Sequence, residues 1–246
     1  MEWGRQTAGK VLSLSCGTGT IHLIASCCRS KSAPAAENTF PYEVKESGKA
    51  TEAWRRRIRA THGQFITGDL YQGLHWQRAR GVAHRHAAVE LWAVSAGLGL
   101  RHATDPAVPY ECTFHALPYA AAEHWRRITE TPPLPGRFST LAELMRNCPH
   151  DRFVFAVSPV YLRAIEDDIL AGLPALRNDD QQLMIATSQG YHGALKRWVT
   201  CSHAGMLETL NTNFTALNIS LAAQLVDKMV ATDRDLNKLK MEGTHA

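Results

Sequence analysis

Phe153-Val154-Phe155-Ala156-Val157-Ser158-Pro159 decides the fold. Five apolar residues of strand length, two of them valines and two phenylalanines, stop at a serine and a proline. The next dozen residues carry a helical pattern over 160–171. A strand that is apolar at every position is buried on both faces, which is typical of a parallel sheet covered by helices on both sides. Three further runs have the same form: Ile21-His-Leu-Ile-Ala25, Leu91-Trp-Ala-Val94 and Leu183-Met-Ile-Ala186. Each of the four also runs out into a serine, at Ser26, Ser95, Ser158 and Ser188.

Between these runs the spacing predicts helices over 47–62, 74–86, 120–130, 140–147 and 160–171, with one or two more over 217–240. Ser47, and Ser139 followed by Glu143, serve as start signals. The expected architecture is therefore α/β: a mainly parallel central sheet of about four strands with helices on both faces. Residues 1–18 read as a loose lead-in, and 19–246 as a single domain with C-terminal helices. The stretch from His102 to Pro118, with Pro106, Pro109 and Pro118, reads as a long irregular loop, of a length that usually has a functional reason.

Composition narrows the class. Of 246 residues, 45% are hydrophobic and 20% charged, enough apolar material for one core without metal or disulfide support. The apolar runs are too short for a bilayer span, and the first thirty residues hold no continuous apolar leader, so a cytoplasmic protein with no membrane association is expected. The six cysteines (16, 27, 28, 112, 148 and 201) form no C-x-x-C pair and are expected to be reduced. The twelve histidines lack acidic or thiol partners at ligand spacing, so no metal and no cofactor is expected. Net charge is only +4, but the basic residues come in groups: Arg55, Arg56 and Arg57 with Arg59; Arg78, Arg80 and Arg85; Arg126 with Arg127; and Lys196 with Arg197. With Arg29, such groups are candidates for DNA phosphates, although any single group is equally the solvated face of a helix.

In open parallel sheets, ligands bind beyond the carboxyl ends of the strands. Four segments stand out: Ser26-Cys-Cys-Arg-Ser-Lys31 after the first strand, Asp69-Leu-Tyr-Gln-Gly73 before a helix, Trp92-Ala-Val-Ser-Ala-Gly-Leu-Gly-Leu100 on the second strand and Pro109-Tyr-Glu-Cys-Thr-Phe114 in the long loop, with Leu217-Asn218 as a weaker late match. Together, over about residues 21–225, they resemble a family of small α/β domains found beside deazaguanine-type nucleic-acid modification genes and related in fold to the uracil-DNA-glycosylase-like superfamily. The G-x-D-P-Y and H-P-S-P elements of the better-known uracil glycosylases are absent.

The resemblance implies a DNA glycosylase that flips out a modified base, such as the glucosylated hydroxymethylcytosine of T-even phage genomes, and leaves an abasic site in antiphage defence. Modified DNA would be the partner, with no obligatory protein partner. Breaking an N-glycosidic bond passes through an oxocarbenium-like sugar, which needs a carboxylate. Glu111 is the first candidate and Asp69 the second, although Asp69 is equally suited to cap a helix. Ser26, Cys27, Lys31, Tyr71, Ser95, Tyr110, Ser158 and Asn218 are the expected substrate-binding residues. Tyr71 and Tyr110 would stack on the extruded base, and Lys31 would hold a phosphate or form a Schiff base. Trp76 falls among Leu74 and Ala79 and reads as core. Two rival readings use the same residues: a non-catalytic module that senses a modified base, and a cysteine-dependent hydrolase acting through Cys27 or Cys28.

Overall fold

The computed structural model describes residues 19–61 and 65–243. The chain enters on β1 (Ile21–Ser26), crosses α1 (Ser47–Arg59), β2 (Phe65–Ile66), α2 (Thr67–Leu70) and α3 (Leu74–Arg85), and returns on β3 (Val89–Ser95), which turns into β4 (Gly99–His102). It continues through β5 (Pro106–Ala107), α4 (Ala121–Glu130) and α5 (Leu141–Asn147) to β6 (Arg152–Ala156) and α6 (Pro159–Gly172). Then follow α7 (Asp179–Gln182), β7 (Leu183–Ser188), β8 (Val199–Ser202) and the long α8 (Leu217–Gly243).

The main sheet has the order β4-β3-β1-β6-β7-β8, with β2 and β5 forming a separate pair. All its pairings are parallel except β3 with β4. Counting only the parallel strands, the order is 2-1-3-4-5, a doubly wound arrangement whose direction of winding reverses between β1 and β6. The interiors of β1, β3, β6 and β7 are buried at nearly every successive position, so both faces are covered. α3 and α8 pack on each other over β1, β3, β6 and β7. α4, α5 and α6 pack together as the second helical layer, joined by α1.

The four expected strands are present, but the sheet has six. β4 was missed because Gly-Leu-Arg-His reads as turn and polar loop; Arg101 is nevertheless fully buried there, donating to the carbonyls of Leu100, Leu134 and Pro135. β8, Val-Thr-Cys-Ser, is a short edge strand whose two middle residues are exposed, and it lacks an apolar run. The expected loop over 102–118 is partly ordered by backbone pairing: β5 lies antiparallel to β2, and Glu111 bridges Thr39.

Two helix starts differ in detail. Glu46, not Ser47, precedes α1, and the Ser47 hydroxyl bonds Glu123 instead. Thr140 caps α5 through the Glu143 N–H, while the Glu143 carboxylate accepts from Ser139 N–H, a reciprocal capping pair. The lead-in over 1–18 lies outside the described residues. Trp76 is fully buried, its indole N–H donating to Gly68 O at 3.0 Å. No helix among the described residues is long and apolar enough to cross a membrane.

Candidate active site

The site begins where β1 leaves the sheet. Cys27 N–H still donates to Val94 O at 2.9 Å, so the ladder with β3 continues one residue past Ser26, which stays half-buried opposite Val94. At Cys28 the chain turns away, and the Cys28 sulfur accepts the Gly73 N–H at 3.2 Å. A Cβ at position 73 would come within 3.0 Å of that sulfur. Residues 30–32 are then stitched to residues 70–72: Ser32 N–H to Leu70 O at 2.8 Å, Gln72 N–H to Ser30 O at 3.0 Å, and a bridge between Lys31 and Tyr71. This stitching brings Tyr71 to the end of β3, forty residues away from Lys31 in sequence.

At that end Ser95 Oγ accepts the Leu98 N–H at 2.9 Å and lies 2.7 Å from Tyr110 Oη, which is 3.0 Å from Tyr71 Oη. Tyr110 is delivered by a second stitch: Asn38 Nδ2 donates to Pro109 O, Glu111 N–H to Asn38 O and Phe40 N–H to Glu111 O. Gly97 is required by close approach, because a Cβ there would sit 2.4 Å from the Tyr110 ring. The Trp54 indole N–H holds the Gly97 carbonyl at 2.7 Å. Lys31 Nζ lies 4.3 Å from the Tyr110 ring centroid and donates to the carbonyls of Cys28 and Arg29.

On the β6 side of the crevice Cys27 Sγ lies 3.4 Å from Tyr161 Oη. Ser158 caps α6, its Oγ accepting from Tyr161 N–H. Asn218 donates to Val157 O at 3.0 Å and accepts from Ser202 Oγ at 2.6 Å, clamping the ends of β6 and β8. His75 Nε2 donates to Ala156 O at 3.1 Å. Burial sets the electrostatics. It pushes the Tyr71, Tyr110 and Tyr161 phenols up, along with the Cys28 and Cys112 thiols, and it holds His75 down at about 4. All of these groups are therefore neutral near pH 7.

Several sequence expectations change. Tyr71 and Tyr110 have no exposed surface, and Lys31 occupies the face of Tyr110, so neither ring has an open face on which a base could stack. Asp69 does not cap α2, whose preceding residue is Ile66. Its carboxylate is ion-paired with Arg80 at 3.0 Å and lines a different cleft of about 620 Å³, with Gln77, His84, Glu90 and His102. Glu111 is half-buried between the inward-turned Tyr110 and Cys112, and its carboxylate makes no hydrogen bond or ion pair among the described residues.

Most of the basic groups are already engaged. Arg55 donates to the carbonyls of Thr131 and Arg127, and Arg57 to Thr39 O. Arg126 pairs with Glu130, Arg127 with Glu123 and Arg85 with Asp227. Arg197 pairs with Asp180 just ahead of β7, and Lys196 beside it precedes β8. Both therefore lie at the amino edge of the parallel strands, opposite the crevice. Arg29 and Arg56 remain exposed without a side-chain partner among the described residues.

The expectation of reduced cysteines holds for 27, 28, 112 and 201, but Cys148 is disulfide-bonded. Cys148 also lies in a buried group with His22 and Asp151. Both His22 nitrogens are engaged there, with Asp151 at 3.1 Å and with the Trp92 indole N–H at 3.1 Å. Reading the sequence missed Tyr161, Cys112 and His75. Tyr161 and His75 have no local signature, since tertiary packing recruits them; Cys112 lies in the 109–114 segment, but nothing there marks its thiol as part of the cluster. Comparisons with family models, curated proteins and solved structures returned no match.

Proposed function

We propose that the chain is a DNA glycosylase that hydrolyses the N-glycosidic bond of a modified base, with glucosylated hydroxymethylcytosine the first substrate to test. The observation that supports this reading is the convergence of four distant segments, 26–31, 69–73, 92–100 and 109–114, on one hydrogen-bonded cluster at the carboxyl edge of β1 and β3. These are the segments that carry the family resemblance.

In this reading Glu111 is the catalytic carboxylate, because it has no countercation among the described residues, whereas Arg80 neutralises Asp69. Water adds to C1′ of the sugar and the C1′–N bond breaks. The electron pair leaves with the base, the proton of the attacking water passes to Glu111, and the products are an abasic site and the free base. Lys31, which donates to two carbonyls and lies over the Tyr110 ring, steadies negative charge on the departing base. Tyr71, Tyr110 and Ser95 form the rigid floor beneath it.

A second reading, a cysteine-dependent hydrolase, is favoured by the half-buried Cys27 thiol beside Tyr161 at the strand end. Burial raises the Cys28 and Cys112 thiols, and that reading would act through the Cys27 sulfur at the end of β1. The test is incubation with modified and plain phage DNA followed by an abasic-site lyase. Breaks confined to modified DNA, lost in Glu111→Gln and kept in Cys27→Ala, are expected. Activity that follows Cys27 instead would promote the second reading.

A further inference from the structure

Phe214 is the most exposed large apolar side chain among the described residues, at 72%. A lone exposed apolar residue is ordinary. What sets this one apart is the bracing of the turn that carries it. Asn211 takes a left-handed conformation, which asparagine tolerates, and its carbonyl accepts from the Arg78 guanidinium at 2.8 Å. Thr212 N–H reaches back to Leu207 O at 3.0 Å, and Thr212 Oγ1 lies 2.9 Å from Ser220 Oγ. Asn213 Oδ1 accepts from the N–H of the fully buried Ala216. The backbone on both sides of the ring is pinned while the ring itself stands in water. Pre-ordering of this kind lowers the entropic cost of binding.

The turn belongs to the crevice. The backbone of Thr215, the next residue, bonds His75, whose other contact is Ala156 O at the end of β6. Asn218 bonds Val157 O at the same edge. Exposed Arg29 lies on this rim with no carboxylate partner among the described residues. So does Arg163, whose guanidinium donates to Gly190 O at 3.0 Å. The residues flanking Phe214, namely Asn211, Thr212, Asn213 and Thr215, are polar. This gives one ring rather than the contiguous apolar patch that a protein partner would bury. A single rigid aromatic face at the sheet edge that also carries Arg29, after β1, and Arg163, anchored past β7, matches a nucleobase, since every base offers a π face and every linkage a phosphate.

We propose that Phe214 is a stacking surface for a nucleobase of the substrate strand next to the nucleotide held in the crevice. This rests on the nucleic-acid reading above. The test is fluorescence anisotropy of a short single-stranded oligodeoxynucleotide with the full chain and its variants at two salt concentrations. Phe214→Ala and Phe214→Leu should weaken binding about 5- to 100-fold, and Phe214→Trp should retain it, with unchanged thermal melting. Wild-type affinity in Phe214→Leu would overturn the proposal in favour of a wedge, which needs bulk rather than a π face. Wild-type affinity in Phe214→Ala, with Arg29→Ala/Arg163→Ala weakened, would overturn it and leave the nucleic-acid reading standing. A shift in sedimentation of Phe214→Ala with binding unchanged would assign the ring to a second copy of the chain. No binding by the wild type at low salt would sink both readings together.

Discussion

The two halves of the sheet's carboxyl edge use similar residues to opposite ends. At β1 and β3, Ser95, Tyr110 and Tyr71 bond one another, and Lys31 lies over them, so side chains from four segments depend on each other. At β6 and β8, Ser158 and Asn218 bond the backbone or a neighbouring strand end, as a helix cap and a clamp. Even the buried histidines follow this division. His124 donates to Ala96 O past β3 at 2.7 Å and accepts from the Tyr119 hydroxyl, while His75 donates to Ala156 O at the end of β6. Polar residues that depend on one another across the chain are what a chemical site needs; polar residues that satisfy the backbone are what a frame needs.

The largest effect expected from this contrast is catalytic. Glu111→Gln should lower the rate of base release by about 10²- to 10⁴-fold with little change in melting temperature, while Asp69→Asn should stay near wild type. Equal losses in the two variants would erase the distinction between the two acids.

Next in size is a pH effect on stability. Burial holds His75 and His124 at about 4, below the ordinary 6.5. Between those values the unfolded chain binds protons that the folded chain does not, so stability falls as pH drops from about 6.5 to about 4 and levels off below. Each histidine contributes up to roughly 3 kcal/mol across that window. Denaturant midpoints measured from pH 7 to 4 should flatten by one histidine's share in His75→Gln, and separately in His124→Gln. A wild-type midpoint independent of pH would contradict the burial of both rings.

Tyr110→Phe leaves the Ser95 and Tyr71 hydroxyls short of a partner and should cost about 1–3 kcal/mol in urea unfolding. Because Phe keeps the ring on which Lys31 rests, activity should fall less than in Tyr110→Leu, which removes that surface. Ser158→Ala removes a helix cap and should cost about 1 kcal/mol with activity unchanged. A Ser158 variant that is stable but inactive would move the chemistry towards β6.

The sequence was informative wherever structure is built from local pattern. The strands at 21–26, 89–95, 152–156 and 183–188 are built around the short apolar runs at 21–25, 91–94, 153–157 and 183–186. It was uninformative where burial contradicts composition. Arg101 and His102 in β4 look like loop, yet inside the fold carbonyls accept from Arg101 Nε and Nη1, and Glu90 pairs with His102. The same rule divides the site. Lys31, Tyr71, Ser95 and Tyr110 could be grouped because each lies at the end of a legible strand or in a legible motif. Whether the rings are open to a ligand could not be read, since that depends on the Asn38 and Ser30 stitches that turn them inward. Asp69 is separated from the cluster by Arg80, eleven residues on along α3, a contact that no motif encodes.

The most direct measurement of the central claim is release of free base from modified phage DNA, followed with the wild type and Glu111→Gln. Release of the modified base with matching abasic sites, abolished in Glu111→Gln, is the expected result. Tight binding of the DNA with every glycosidic bond intact would contradict it and leave a module that recognises the modified base without cleaving it.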